Sequence, residues 1–280
     1  MPALIHRPGP PLADFVDCFW LWDGYTAPAP RERALPSGTL DIIINLREDR
    51  LRIFNRDDLA SFERFPGIMI SGAHAGHFVI DTAPGASVMG VHFKPGGAFP
   101  FLGIPAGDLE GRHAALDALW GASAARLRER LLEARCAAER FSALEGSLRA
   151  RAARPLRRHG AVALALRAFD DPTLRAVAEV NARTGLSPKR LIALFHDEVG
   201  LGPKAFWRVR RFQAALRLMD SRRDARGRAR RAVRGAEIAA ELGYFDQAHL
   251  SREFRAFAGL GPSAYLAQEV ERPNHVPLRG

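Results

Sequence analysis

The feature that most constrains the fold is an internal duplication near the C-terminus. One copy reads Val180-Asn181-Ala182-Arg183-Thr184-Gly185, continues through Leu191 to Phe195, and reaches Gly200-Leu201-Gly202-Pro203-Lys204-Ala205-Phe206. The other reads Ile238-Ala239-Ala240-Glu241-Leu242-Gly243, then Leu250 to Phe254, then Gly259-Leu260-Gly261-Pro262-Ser263-Ala264-Tyr265. The offset is 58 residues up to the first glycine and 59 after it, so the second turn holds one extra residue. Self-similarity of this kind means one supersecondary unit used twice.

Each copy makes sense as helix–turn–helix. Gly185 and Gly243 end a short helix, where a positive φ costs glycine little. Ser187 suits an N-cap and Pro188 the first helical position, and Asp246 can cap the equivalent helix of the second copy. Leu191, Leu194, Phe195 and Val199 make one apolar stripe; Leu250, Phe254 and Phe257 make the other. Gly200 and Gly259 end these helices, and Pro203 and Pro262 start the next.

Charge follows the same division. Residues 1–156 hold 18 Lys/Arg and 18 Asp/Glu, whereas residues 157–280 hold 23 against 13. The whole excess of +10 therefore lies in the part that carries the repeat, the electrostatic footprint of a polyanion partner such as nucleic acid.

Residues 160–267 resemble the DNA-binding domain of the AraC/XylS family of bacterial transcription regulators. The second copy carries the resemblance most sharply, from Ile238 through Glu241-Leu242-Gly243-Tyr244-Phe245-Asp246-Gln247-Ala248-His249-Leu250-Ser251-Arg252-Glu253-Phe254-Arg255 to Gly261-Pro262-Ser263-Ala264-Tyr265. The resemblance implies a seven-helix domain whose two recognition helices are joined by a long helix over Lys204–Met219. In the second recognition helix Ala248, Arg252 and Arg255 face away from the apolar stripe, His249 and Ser251 flank them, and Gln247 lies at the leading end. Arg252 suits a bidentate guanine contact, and Gln247 an adenine or a phosphate. The first recognition helix offers Lys189, Ala193 and His196, flanked by Arg190 and Ile192. Many relatives carry polar or basic readers where this chain has Ile192 and Ala193, so this unit is expected to read shape and thymine methyls or to anchor through Lys189 and Arg190. The run Ser221–Arg234, with seven arginines and one Asp, either tracks phosphates or is a solvated charge run.

The N-terminal half reads differently. Asp17–Trp22, Thr39–Leu46, Leu51–Phe54, Gly67–Ile70, His77–Asp81 and Ser87–Phe93 are short strand candidates punctuated by Gly, Asp or Pro, as in a small barrel or sandwich. Ala124–Ala134 and Ala138–Ala150 have helical spacing and would pack on the barrel or on a second subunit. Residues 12–150 resemble the cupin-like N-terminal domain of some such regulators, through Leu35–Leu46 and Gly90–Ala98. That resemblance implies ligand sensing or dimerisation. The expected class is thus α+β: a mostly-β cupin-like barrel with flanking helices over 1–152, a linker at 153–158, an all-α double helix-turn-helix domain over 159–270, and a tail at 271–280.

Within the strands, Asp41 and Asn45 share a face that can point into a barrel cavity, to bind a small polar ligand or to satisfy structural hydrogen bonds. His74, His77 and His92 form no familiar metal set, and neither a metal nor another cofactor is expected. No nucleophile elbow, phosphate loop or dinucleotide fingerprint appears, so an enzyme is not expected. Two distant cysteines, no secretory signal and no membrane-length apolar run fit a cytoplasmic protein. The expected partner is double-stranded DNA. A small-molecule effector, RNA polymerase and a second copy of the chain are further candidates. The rival reading is a cupin-like small-molecule-binding or metal-dependent enzyme with an accessory basic domain.

Overall fold

The computed structural model describes residues 3–82, 86–171, 173–221, 235–268, 270, 272 and 274–278. The N-terminal half holds two antiparallel sheets. The first has the order β1 (Leu4–His6), β2 (Val16–Tyr25), β9 (Ala86–Phe93), β4 (Asp41–Asn45), β7 (Ile68–Ser71) and β10 (His113–Ala115). The second has the order β11 (His275–Pro277), β3 (Arg31–Ala34), β8 (Phe78–Asp81), β5 (Leu51–Phe54) and β6 (Phe62–Phe65).

β4 shows how alternation builds the layers. Ile42 and Ile44 are wholly buried in the main core beside Leu127, Leu131, Phe141, Leu144 and Leu148. Those five residues come from α3 (Ala122–Glu133) and α4 (Ala137–Arg151), which cover the outer face of the first sheet with α1 (Phe99–Leu102) and α2 (Asp117–Trp120). Ile43 points the other way and packs with Ile53, Phe65 and Met69 between the sheets.

Seven helices follow among the described residues, as the family resemblance implied: α5 (Gly160–Phe169), α6 (Val177–Thr184), α7 (Pro188–Val199), α8 (Pro203–Asp220), α9 (Gly235–Glu241), α10 (Gln247–Ala258) and α11 (Pro262–Leu266). The punctuation works as the repeat required. Gly185, Gly200, Gly243 and Gly259 have φ of 68°, 88°, 69° and 70°. Ser187 Oγ accepts the Arg190 N–H, and Asp246 Oδ1 accepts the His249 N–H at 2.6 Å.

Two boundaries differ from the sequence reading. The segment expected as a linker is tied to the barrel: Arg154 donates to the carbonyls of Phe99, Ile104 and Gly103, and the Arg158 guanidinium lies over the Phe15 ring at 5.1 Å. One hydrophobic core then runs through both halves, because Phe206 and Val209 of α8 pack where Gly38 presents bare backbone. The expected tail is also structured in part. His275–Pro277 returns from beyond the second unit and becomes the edge strand of the second sheet beside β3. The run Ser221–Arg234, apart from Ser221, lies outside the described residues.

Candidate nucleic-acid interface

The two recognition helices are positioned from the α8 side by different chemistry. α10 is held by an ion cluster in which Glu253 and Arg211 are largely buried and Arg208 is 40% exposed. Arg208 Nε and Nη2 of α8 lie 2.8 and 2.6 Å from Glu253 Oε1, and Arg211 Nη2 lies 3.6 Å from Oε2. Arg211 also spans the Trp207 and Tyr244 rings at 4.7 and 4.6 Å. Phe254 and Phe257 meanwhile pack on Phe212 with ring centroids 5.2 and 5.1 Å apart. α7 is held by aromatic contact: Phe195 meets Phe206 of α8 and Phe169 of α5 edge-on.

What each helix leaves outward also differs. On α10, Gln247, Ala248, Arg252 and Arg255 are exposed, and neither arginine has an ion pair among the described residues. Ser251 is half-buried. His249 is half-buried too; its Nδ1 accepts the Phe245 N–H at 3.3 Å and its ring meets Tyr244 edge-on, so it braces the turn as well as flanking the row. On α7, Lys189, Arg190, Ile192 and Ala193 are exposed, Ile192 at 53%. His196 is the exception. It docks against the 3-10 turn Ala106–Leu109 of the N-terminal half, with Nε2 3.4 Å from Glu110 Oε2. A Cβ on Gly107 would come within 1.9 Å of the His196 ring, so only glycine permits this approach.

A basic cleft between the two units escaped the sequence reading. Arg175 and the N-terminus of α6, Lys204, Trp207, Arg208 and Arg211 of α8, and His249 and Glu253 of α10 line it. Lys204, Arg208 and Arg211 recur at helical spacing on the joining helix, a signal visible in the sequence once that helix is recognised.

In the N-terminal half the sheet register lines up Cys18, His92, Asp41, Ser71 and His113 across five neighbouring strands. His92 Nδ1 lies 2.6 Å from Asp41 Oδ1, and the Asp41 charge raises the imidazole to about 9. Asn45 is committed elsewhere: its Oδ1 accepts the Arg47 and Glu48 N–H groups, both at 2.9 Å, and its Nδ2 donates to the Arg50 carbonyl at 3.0 Å. It holds a turn, and of the two residues expected to meet a ligand only Asp41 stands beside another ionisable group of the row. His74 rests on Ser71 Oγ at 3.2 Å and His77 packs under Gly259. Among the described residues no group of three or more His, Cys, Asp or Glu is placed to hold a metal.

The His74 and His113 rings lie 4.7 Å apart, tilted by 31°, beside Phe65 and Phe78. Burial pushes His74 down to about 4 and His113 to about 3. The unfolded chain therefore binds more protons than the folded one between about pH 6.5 and those values, and stability falls as pH falls through that window. His113→Phe is expected to flatten this acid limb in melting curves taken from pH 7 to 4. An unchanged slope would show that the acid sensitivity originates elsewhere.

Residues 180–268 match the model of a helix-turn-helix domain family, and residues 5–115 match that of a domain of unknown function (DUF6597). No curated protein matches the chain. Similar solved structures include an apo variant of ToxT from Vibrio cholerae strain SCE256, at 11% identity and TM-score 0.48, covering 90% of this chain and 98% of that one. Unsaturated fatty acid-bound wild-type ToxT from the same strain has 12% identity and TM-score 0.46 over 89% of this chain and 94% of its own. Among the described residues no helix is long and apolar enough to cross a membrane. With its family match, its duplicated unit and its seven helices among the described residues, the C-terminal part of the chain carries a DNA-binding helix-turn-helix domain of the AraC type.

Proposed function

We propose that the chain reads an asymmetric DNA site as a single copy, with α7 and α10 in successive major-groove segments, and that an effector bound in the N-terminal domain controls this binding. The observation that carries the reading is the contrast between the recognition helices. α10 presents Gln247, Arg252 and Arg255 outward, whereas α7 presents Lys189, Arg190, Ile192 and Ala193 and gives His196 to the N-terminal half. Base reading is thus concentrated in the second unit, with α7 anchoring and reading shape. Lys204, Arg175 and the partly paired Arg208 would hold the backbone between the grooves. Effector control is supported by the His196–Glu110 contact, through which any shift of the 3-10 turn reaches a DNA-facing helix. Asp41 and His92 are the polar pair nearest in character to a ligand site. Cys18, paired in register with His92, is pushed by burial up to about 11 and stays a thiol at neutral pH. Contact with RNA polymerase and action in the cytoplasm belong to the same reading, whereas pairing of two chains on the site is the rival that the footprint decides for or against.

Footprinting the full chain on a site selected from random DNA tests it. Two protected groove segments about 10 base pairs apart are expected, with Gln247→Ala and Arg252→Ala weakening only one of them. A single protected groove, or a symmetric site filled only by dimers, would refute the geometry.

A further inference from the structure

We propose that Trp22, Tyr25 and Glu32 form a recognition cage for an alkylguanidinium ligand, and that the chain's own Arg272 is its present occupant. Three observations build the cage. The Glu32 carboxylate on β3 is 2% exposed, and a buried carboxylate requires a cation. Arg272 supplies one through an ion pair from Nη2, and His275 Nδ1 stands 3.3 Å from the same oxygen. Burial alone would raise the Glu32 carboxyl, yet these two partners hold it below its ordinary value. The aromatic walls are Trp22 and Tyr25, whose ring centroids are 4.9 Å apart. The Arg272 guanidinium carbon lies 5.4 Å from the first and 4.6 Å from the second, the geometry of cation–π recognition.

The occupant fits imperfectly. Arg272 Nε is buried with no hydrogen-bond partner among the described residues. A side chain tethered to the backbone cannot turn freely to satisfy every donor, and a free guanidinium can. Nor does β11 need Arg272 for its pairing, since its register with β3 runs through His275, Val276 and Pro277. Two residues beyond Arg272, Asn274 Oδ1 accepts from Gln213 Nε2 of α8 at 3.0 Å, and the same amide donates to the Pro36 carbonyl at 2.7 Å. Expelling Arg272 would therefore pull on the helix that joins both recognition units. This output rests on the effector control proposed above, whereas the cage itself does not.

The test titrates the full-length Arg272→Ala protein with methylguanidinium, following tryptophan fluorescence and melting temperature. Saturable binding is expected, with a Kd about tenfold or more below that of the wild type, in which the tethered arginine competes at a high effective concentration. Arg272→Gln serves in its place should the alanine variant not fold. Glu32→Gln in the same background should abolish the response, and N-methylurea, a neutral molecule of the same shape, should give none. No saturable response in either Arg272 variant, an equal response to N-methylurea, or one that survives Glu32→Gln would overturn the cage. Saturable binding that leaves the DNA affinity of the wild type unchanged would overturn the coupling alone. DNA binding without ligand is measured separately by the footprint, so the two readings fail independently.

Discussion

Glu253→Ala is expected to destabilise the protein by about 1–3 kcal/mol, because it removes the carboxylate that pairs the largely buried Arg211, while the 40% exposed Arg208 can turn to water. Arg208 and Arg211 both converge on Glu253, whose side chain is only 11% exposed. Arg211 is the more deeply enclosed of the two, at 16% exposure, with its Nε already lacking a hydrogen-bond partner among the described residues. Glu253→Gln keeps an oxygen for Arg208 and should cost less, separating loss of charge from loss of the hydrogen bond. Urea denaturation of the full chain measures both. A change within about 0.5 kcal/mol for Glu253→Ala, the scale of an ordinary surface substitution, would show that α10 is held by its phenylalanines alone.

What could be read from the sequence was what repeats or alternates over a few residues. The glycines, caps and apolar stripes of the two helix-turn-helix units obey local rules, and each occurs at its expected position. Thr39–Leu46 is rich in β-branched residues and follows a turn, and β4 forms within it. Arg31–Ala34 and Phe62–Phe65 went unread because charged residues occupy part of each strand, so the β-branched signal is weak. Leu4–His6, His113–Ala115 and His275–Pro277 are three residues each, too short to show a period. The most consequential features join distant parts of the chain. Arg272 reaches Glu32 across 240 positions, and Gln213 reaches the Pro36 carbonyl across 177. Such pairings follow from the whole topology and leave no local trace. The basic segment after α4 misled for a related reason: its arginines look solvated in sequence, but Arg154 and Arg158 bind carbonyls and a ring of the other half.

Arg252→Ala should weaken binding to the preferred site by about 1–3 kcal/mol, roughly five- to 150-fold, and relax preference at one or two base pairs. The expectation rests on exposure and on what surrounds the side chain. Arg252 is exposed on the outward face of α10, while its neighbour Glu253 is turned inward to Arg208, so the helix cannot roll to hide one without unpairing the other. Rotation about the α10 axis is thus opposed by the Glu253 ion cluster on one side and by Phe254 and Phe257 in the core. A guanidinium held this way meets a guanine edge with little loss of freedom, which is where a bidentate contact gains its discrimination. Lys189→Ala on α7 supplies the contrast. A phosphate anchor lost there should weaken all sequences alike and reduce the salt slope by about one. Binding measured on the selected site and on single-base variants, at two salt concentrations, separates the two behaviours. A uniform loss for Arg252→Ala with preference intact would make that residue a phosphate anchor, and specificity would then have to come from Gln247 or from DNA shape.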